Sequence, residues 1–323
     1  MTAPRVSVAV PLHNEEAVVP ELLHRLGAVL DALPGGPHEI VFVDDGSTDR
    51  TFDLVAAAAV RDTRIVALSL SRNFGHQAAL TAALDEVRGD LVALMDGDLQ
   101  DPPEALPTLL AGLAAGNDVA YARRVRRKEG LLLRLAYDLF YRLITRLSRI
   151  PLPLDAGDFS VMTRRVVDAM RRSPEHHRYL RGLRTWVGFR QTGVDVERAE
   201  RFAGQSKYSY GALFRLAFDG IFAFSTAPLR AAALIGALAI ALSTLFALYA
   251  IYVRVALDRS PEGFTALIVV MTFLSGMNLF FLGVIGEYLG RVYEETKARP
   301  LYVLSRIVRE GREQSSVGAR GAG

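Results

Sequence analysis

Leu91-Val92-Ala93-Leu94-Met95-Asp96-Gly97-Asp98-Leu99-Gln100-Asp101-Pro102-Pro103 joins an apolar run to two carboxylates one residue apart. Five apolar residues ending at a polar, Gly- and Pro-bounded turn predict a buried strand over 91–95. At the carboxyl end of such a strand Asp96 and Asp98 can share a hard divalent cation, and the commonest cargo of a cation so placed is a nucleotide diphosphate. The pair alone decides little, because a chain of 323 residues holds about one Asp-x-Asp by chance.

Its surroundings carry more weight. Strand-like runs at 6–10, 39–44, 65–69 and 118–122 alternate with helical stretches such as 15–30 and 77–87. This order predicts an α/β fold with a mostly parallel sheet and ligands at the carboxyl ends of its strands. Three of those ends carry polar clusters: Pro11-Leu12-His13-Asn14-Glu15-Glu16, Asp44-Asp45-Gly46-Ser47-Thr48-Asp49, and Asp96 through Gln100. Asn14, Ser47 and Thr48 suit helix caps and turns. Capping explains one cluster more readily than three that converge.

The chain is 50% hydrophobic, with a mean hydropathy of +0.20, high for a wholly soluble protein. It contains no cysteine, which excludes disulfides, thiolate metal sites and a cysteine nucleophile. Arg5 is followed at once by a strand-like run, so no signal peptide is expected. The two runs 231–253 and 264–286 are each 23 residues long and free of Lys, Arg, Asp and Glu. A helix of that length rises roughly 34 Å, enough to cross a bilayer. Arg201, Lys207, Arg215 and Arg230 precede the pair, and Arg291, Lys297, Arg299, Arg306 and Arg309 follow it. The positive-inside rule then places both termini and the long N-terminal region in the cytoplasm of a multi-pass cell-membrane protein.

The net charge of +3 is uneven: residues 121–190 hold 17 Lys and Arg against 6 Asp and Glu. Within them, 131–150 sets leucines at helical spacing against an arginine stripe, predicting an interfacial amphipathic helix; 213–224 is a second candidate. The basic residues interleave with this lipid-type helix rather than with exposed stacking aromatics, which argues against nucleic acid. The expected organisation is a cytoplasmic domain over 1–227, two membrane helices within 228–290, and a tail over 291–323. The stretch 311–323, rich in Gly, Ser and charge, is expected to be disordered.

Val10 through Glu16, Val43-Asp44-Asp45-Gly46-Ser47, Ser71-Arg72-Asn73-Phe74-Gly75 and Asp96 through Pro103 resemble the motifs of the family 2 glycosyltransferases. Within these the chain is most similar to the dolichol-phosphate mannose synthase-like branch, and there to the bacterial polyprenyl-phosphate glycosyltransferases that end in two membrane helices. The resemblance runs from about residue 6 to 299. It implies a GT-A fold, a nucleotide-sugar donor, a Mg²⁺ or Mn²⁺ ion, and inverting transfer of a hexose to an undecaprenyl- or dolichol-type phosphate. It places UDP-glucose first among donors, and makes a homo-oligomer plausible.

Carried over position by position, the resemblance gives Asp45 the donor's base, Glu15 its ribose, and Pro11 and Leu12 the wall behind the base. Asn14, Arg72 and Gly75 join this nucleotide-sugar set. Asp96, Asp98 and Gln100 become the metal and diphosphate ligands, Asp98 counting also as catalytic. Arg124 and Arg127 match an Arg-x-x-Arg, with Arg124 helping to stabilise charge on the leaving diphosphate. Arg201, Ser206 and Lys207 match a loop over the phosphates. His13 departs from the aromatic common there. Asp158, in Asp155-Ala156-Gly157-Asp158, matches a candidate acidic residue that either orients the acceptor or takes its last proton. A phosphate monoester, with a second pKa near 6, needs little general-base help. Two alternatives stand beside this reading. A processive polysaccharide synthase would carry Gln-x-x-Arg-Trp, where this chain has Arg181-Gly182-Leu183-Arg184-Thr185-Trp186; a non-catalytic membrane scaffold would have no use for intact Asp96, Asp98 and Gln100.

Overall fold

The computed structural model describes residues 5–124, 156–173, 175, 178–197, 227–257 and 263–318. The expected amphipathic helices at 131–150 and 213–224 lie outside them. The described residues fall into two compact units, one holding the sheet and its helices, the other the two long apolar helices.

The first unit is built on nine strands in the order β7-β5-β6-β4-β1-β2-β3-β8-β9. Its centre is parallel: β1 (Val6–Leu12) pairs with β2 (His38–Asp44) and β4 (Leu91–Leu94), and β2 pairs with β3 (Ile65–Leu70). These strands are apolar on both faces because helices cover both, so they read as continuous hydrophobic runs. The helices α1 (Val19–Ala32), α2 (Thr51–Arg61) and α4 (Leu106–Ala114) pack one face. On the other lie α3 (His76–Glu86), α5 (Arg164–Arg171) and α6 (Leu180–Trp186). Leu22, Leu26, Val55 and Leu109 fill the first layer against Val8, Val10 and Phe42; Leu80, Leu84, Val166 and Leu183 fill the second against Ala9, Val41 and Val43.

The flanks depart from the expected parallel order. β6 (Ala156–Thr163) inserts antiparallel between β4 and β5 (Val119–Arg124), and β7 (Gln191–Val196) adds parallel to β5. The sheet is therefore mixed, with parallel order confined to its centre and the β5/β7 pair. α1 begins four residues later than the periodicity predicts. The backbone N–H groups of Glu15 and Glu16 donate across to Thr51 Oγ1 (2.8 Å) and Asp49 Oδ2 (3.2 Å), so this stretch is a strand-end loop.

A larger correction concerns the C-terminus. The expected disorder over 311–323 is overturned as far as residue 318: β8 (Leu304–Arg309) pairs antiparallel with β3, and β9 (Arg312–Gly318) pairs with β8. Tyr302, fully buried, donates from its hydroxyl to Asp85 Oδ2 at 2.8 Å, and Arg309 meets Glu86 at 2.6 Å. Both acidic partners lie at the end of α3. Sequence patterning misses this hairpin because its apolar positions, Leu304, Ile307 and Val308, are few and separated by charge.

The second unit comprises α7 (Ala227–Leu257) and α8 (Phe264–Thr296). Leu229–Val253 and Leu267–Thr296 are long and apolar enough to cross a membrane, and neither is buried by protein. Leu234, Phe246, Phe273 and Leu279 are 66–73% exposed, as lipid-facing residues are and a soluble core helix is not.

Candidate active site

The site collects at the carboxyl ends of β1, β2, β3 and β4, where three loops are tied to one another. After β2, Asp44 accepts from Ser47 N–H at 3.2 Å and closes a turn, with Gly46 at φ 63° at its tip. A Cβ on Gly46 would stand 2.4 Å from the Arg72 carbonyl carbon, so the loops after β2 and β3 touch backbone to backbone. Asp45, 3% exposed, accepts from Phe74 N–H (2.7 Å) through Oδ1 and from Gly75 N–H (2.9 Å) through Oδ2. This carboxylate holds the 71–75 loop, and Gly75, at φ 99°, turns the chain into α3. Arg72 lies over the Phe74 ring at 4.0 Å and donates to Asn73 O.

The loop after β1 is bound to the same frame. Asn14, in the left-handed region at φ 55°, donates from its N–H to Ser47 Oγ (2.9 Å) and accepts from Thr48 N–H at 2.8 Å. His13 Nδ1 lies 3.0 Å from Asp45 O, and Asn73 Nδ2 approaches the same ring at 3.2 Å. Pro11 and Leu12 are buried at the end of β1, and a Cβ on Gly97 would meet Leu12 Cδ2 at 2.3 Å. The loop after β4 therefore lies directly on the end of β1. Leu99 takes φ 57°, a strained value for leucine worth on the order of 1 kcal/mol or more, and Gln100 N–H turns back to Asp98 Oδ1 at 3.1 Å.

The acidic centre brings a histidine up to Asp96, a residue outside the expected set of Asp96, Asp98 and Gln100. The donor atoms that lie within 4.8 Å of one another belong to His76, Asp96 and Asp158. His76 Nε2 is 3.4 Å from Asp96 Oδ1 and 4.0 Å from Asp158 Oδ2. Asp96 Oδ1 is buried without a hydrogen-bond partner. Burial, reinforced by the carboxylates of Asp158, Asp101 and Asp98, pushes Asp96 up to about 6 against the pull of His76. A buried carboxylate oxygen with no donor, facing an imidazole and a second carboxylate, suits a divalent cation held at Asp96, and the nearest of the other clustered donors are His76 Nε2 and an Asp158 oxygen already engaged by Arg181.

Asp158 sits on β6 and is gripped from α6, where Arg181 donates from Nε to Oδ1 (3.1 Å) and from Nη2 to Oδ2 (2.8 Å). Burial alone would raise its pKa, but Arg181, with His76 and Arg184 behind it, holds the carboxyl below its ordinary value. Arg184 is fully buried, 5.2 Å from the Tyr121 ring, and burial brings its guanidinium down to about 10.

Thus Pro11, Leu12, Asn14, Asp45, Arg72 and Gly75 share one corner with Asp96 and Asp98, and Glu15 stands at its rim. Arg124 ends β5 opposite Val196. Its side chain, and Arg127, Arg201, Ser206 and Lys207, lie outside the described residues. Sequence reasoning missed His76, one residue beyond the quoted Ser71–Gly75 motif, because it reads there as an ordinary first-turn residue. It weighed Arg181 and Arg184 only against the Gln-x-x-Arg-Trp element and did not link them to Asp158, although their spacing of three on one helix was an available signal.

The family model for Glycosyl transferase family 2 matches residues 7–171. An uncharacterised glycosyltransferase of Bacillus subtilis is 40% identical over 93% of this chain and 93% of its own. A prophage bactoprenol glucosyl transferase homolog of Escherichia coli is 37% identical over 94% of this chain and 99% of its own length. The bactoprenol glucosyl transferase of Shigella phage SfX is 38% identical over 93% and 98%. Among solved structures, Mycobacterium tuberculosis glucosyl-3-phosphoglycerate synthase, crystallised with Mn²⁺, UDP and glucosyl-3-phosphoglycerate, matches with a TM-score of 0.50. It is 19% identical and covers 68% of this chain and 79% of that one, a likeness of fold.

Proposed function

Because the chain belongs to glycosyl transferase family 2, we propose that it transfers a hexose, glucose from UDP-glucose in the first instance, to a membrane polyprenyl phosphate with inversion. The observation that carries this reading is that relatives named for bactoprenol glucosyl transfer align over nearly the whole chain, including both apolar helices. The donor's nucleotide lies in the corner between the loops after β1, β2 and β3, with Pro11 and Leu12 as its wall, Glu15 at the ribose and Arg72 at the rim. Asp45 shapes the base pocket through the loop it clamps.

A divalent cation, Mg²⁺ or Mn²⁺, fits the buried edge of Asp96, with Asp98 and Gln100 beside it, and when bound would neutralise charge gathering on the leaving diphosphate. An oxygen of the acceptor phosphate attacks the anomeric carbon, the bond from that carbon to the diphosphate breaks, and the nucleoside diphosphate leaves. Asp158 orients the acceptor: it is already ionised and bound by Arg181, and a phosphate monoester is mostly dianionic above about pH 6. Arg124, Arg127, Arg201, Ser206 and Lys207 complete the charge around the phosphates.

The two apolar helices hold this domain at the inner face of the cell membrane. Their basic flanks support a cytoplasmic site. The sheet supports an even number of crossings, because β8 follows the helices and β3 precedes them, and one sheet cannot straddle a bilayer. The deciding experiment incubates membranes containing the full chain with a panel of nucleotide sugars and polyprenyl phosphate, and weighs the lipid product. A hexosyl phospholipid formed from UDP-glucose supports the reading; no sugar-bearing lipid from any donor would overturn it.

A further inference from the structure

We propose that His76 is a ligand, through Nε2, to the divalent cation held at Asp96, and that this nitrogen makes the site prefer Mn²⁺ to Mg²⁺. The inference rests on the reading of Asp96 as a metal ligand and adds a residue that the Asp-x-Asp-x-Gln pattern does not contain.

The geometry supplies the argument. Octahedral ligands at about 2.1 Å from an ion lie roughly 3 Å apart when cis and roughly 4.2 Å apart when trans. His76 Nε2 stands 3.4 Å from Asp96 Oδ1 and 4.0 Å from Asp158 Oδ2, within that interval. The His76–Asp96 approach is not a hydrogen bond, for Asp96 Oδ1 is left without one. The buried, unpartnered Asp96 Oδ1, the Asp158 Oδ2 that also accepts from Arg181 at 2.8 Å, and an imidazole nitrogen thus converge on one volume with no direct hydrogen bond from His76 to Asp96.

His76 is also well placed to serve. It opens α3, and the preceding Gly75 is fixed by its N–H bond to Asp45 at 2.9 Å. At the far end of the helix Tyr302 and Arg309 hold Asp85 and Glu86. With both ends of α3 secured, the imidazole is carried on a rigid support while its ring stays 45% exposed, open to an arriving ion. Asp98 does not belong to this trio; its Oδ1 accepts from Gln100 N–H.

The choice of metal follows from ligand chemistry. Mg²⁺ is held by oxygen and water and gains little from imidazole, whereas the transition metals accept it readily. A site of oxygen ligands alone would discriminate weakly between the two.

The test uses the full-length chain in detergent, titrated with MnCl₂ alone and then with UDP added, with free Mn²⁺ counted by electron paramagnetic resonance. Pulsed spectra of the bound ion report any directly coordinated ¹⁴N. The wild type should show imidazole modulation and His76→Ala should lose it, with Mn²⁺ binding about tenfold weaker or more. The affinity for Mg²⁺ itself should change little, so Mg²⁺ should displace Mn²⁺ about tenfold more readily from the variant, and His76→Gln should behave like the alanine variant in the ¹⁴N signal; a Mn²⁺ preference unchanged in His76→Ala would overturn the assignment of that preference to His76. A thermal melt unchanged from wild type verifies that the variants are folded. Mn²⁺ bound by the wild type without ¹⁴N modulation, or modulation unchanged in His76→Ala, would overturn His76 as a ligand while leaving the Asp96 site standing. If the wild type binds no Mn²⁺ under either condition, both the Asp96 reading and this inference fall.

Discussion

Replacing Asp45 by asparagine separates two roles for this carboxylate. It is 3% exposed, and both its oxygens accept backbone N–H bonds, from Phe74 at 2.7 Å and Gly75 at 2.9 Å. Asparagine keeps one acceptor and turns an NH₂ group towards the other N–H, so one charge-assisted bond is lost and a buried donor is left facing a donor. Hydrogen bonds to charged groups contribute about 1.5–3 kcal/mol each, and an orphaned buried donor costs about 1–3 kcal/mol. Relaxation of the loop recovers part of this, leaving a local penalty of about 2–3 kcal/mol, or roughly 30- to 150-fold in the opening equilibrium. Hydrogen exchange followed by mass spectrometry on peptides covering 71–80 should show faster exchange of that order. Donor binding should weaken in parallel. Exchange at Phe74 and Gly75 unchanged from wild type would refute the clamp, and a loss of donor affinity alone would mean that Asp45 acts on the nucleotide directly.

Other expectations follow from the same geometry. Chelation by EDTA should abolish transfer to polyprenyl phosphate, and Asp98→Asn should remove most of it; activity surviving both would dismiss the metal reading. Tyr302→Phe leaves the buried Asp85 carboxylate without its 2.8 Å donor and should destabilise the sheet unit by about 1.5–3 kcal/mol in denaturant melts. Asp158 is held below the usual carboxylate pKa, so it is fully ionised near pH 6. The stability it lends is complete above about pH 4 and is lost only as pH falls further, through its folded value. Accordingly Asp158→Asn should lower turnover by a similar factor at every pH and leave an acidic limb near pH 6 in place; disappearance of that limb in kcat profiles would make Asp158 the general base.

The centre of the fold was legible because strands buried on both faces are apolar along most of their length, and the runs at 6–10, 39–44 and 65–69 stand out for that reason even though Ser7, Glu39, Asp44 and Ser69 interrupt or end them. The same holds for α7 and α8, whose length and lack of charge leave few other readings. The polar clusters at the ends of β1, β2 and β4 were found for a related reason: side chains costly to bury stand beside those strands. What was hidden is what depends on contacts distant in sequence. Arg181 reaches Asp158 across 23 positions, His76 reaches Asp96 from another strand end, and Tyr302 reaches Asp85 across 217. No local pattern encodes such meetings.

The hairpin β8–β9 also sets an order of events during synthesis. The exposed edge of β3 can be filled only after both apolar helices have left the ribosome, since the residues that fill it are translated last. On the proposed topology, a chain with one crossing too few would hold β8 across the bilayer from β3 and leave the edge of β3 unpaired, open to pairing with another chain.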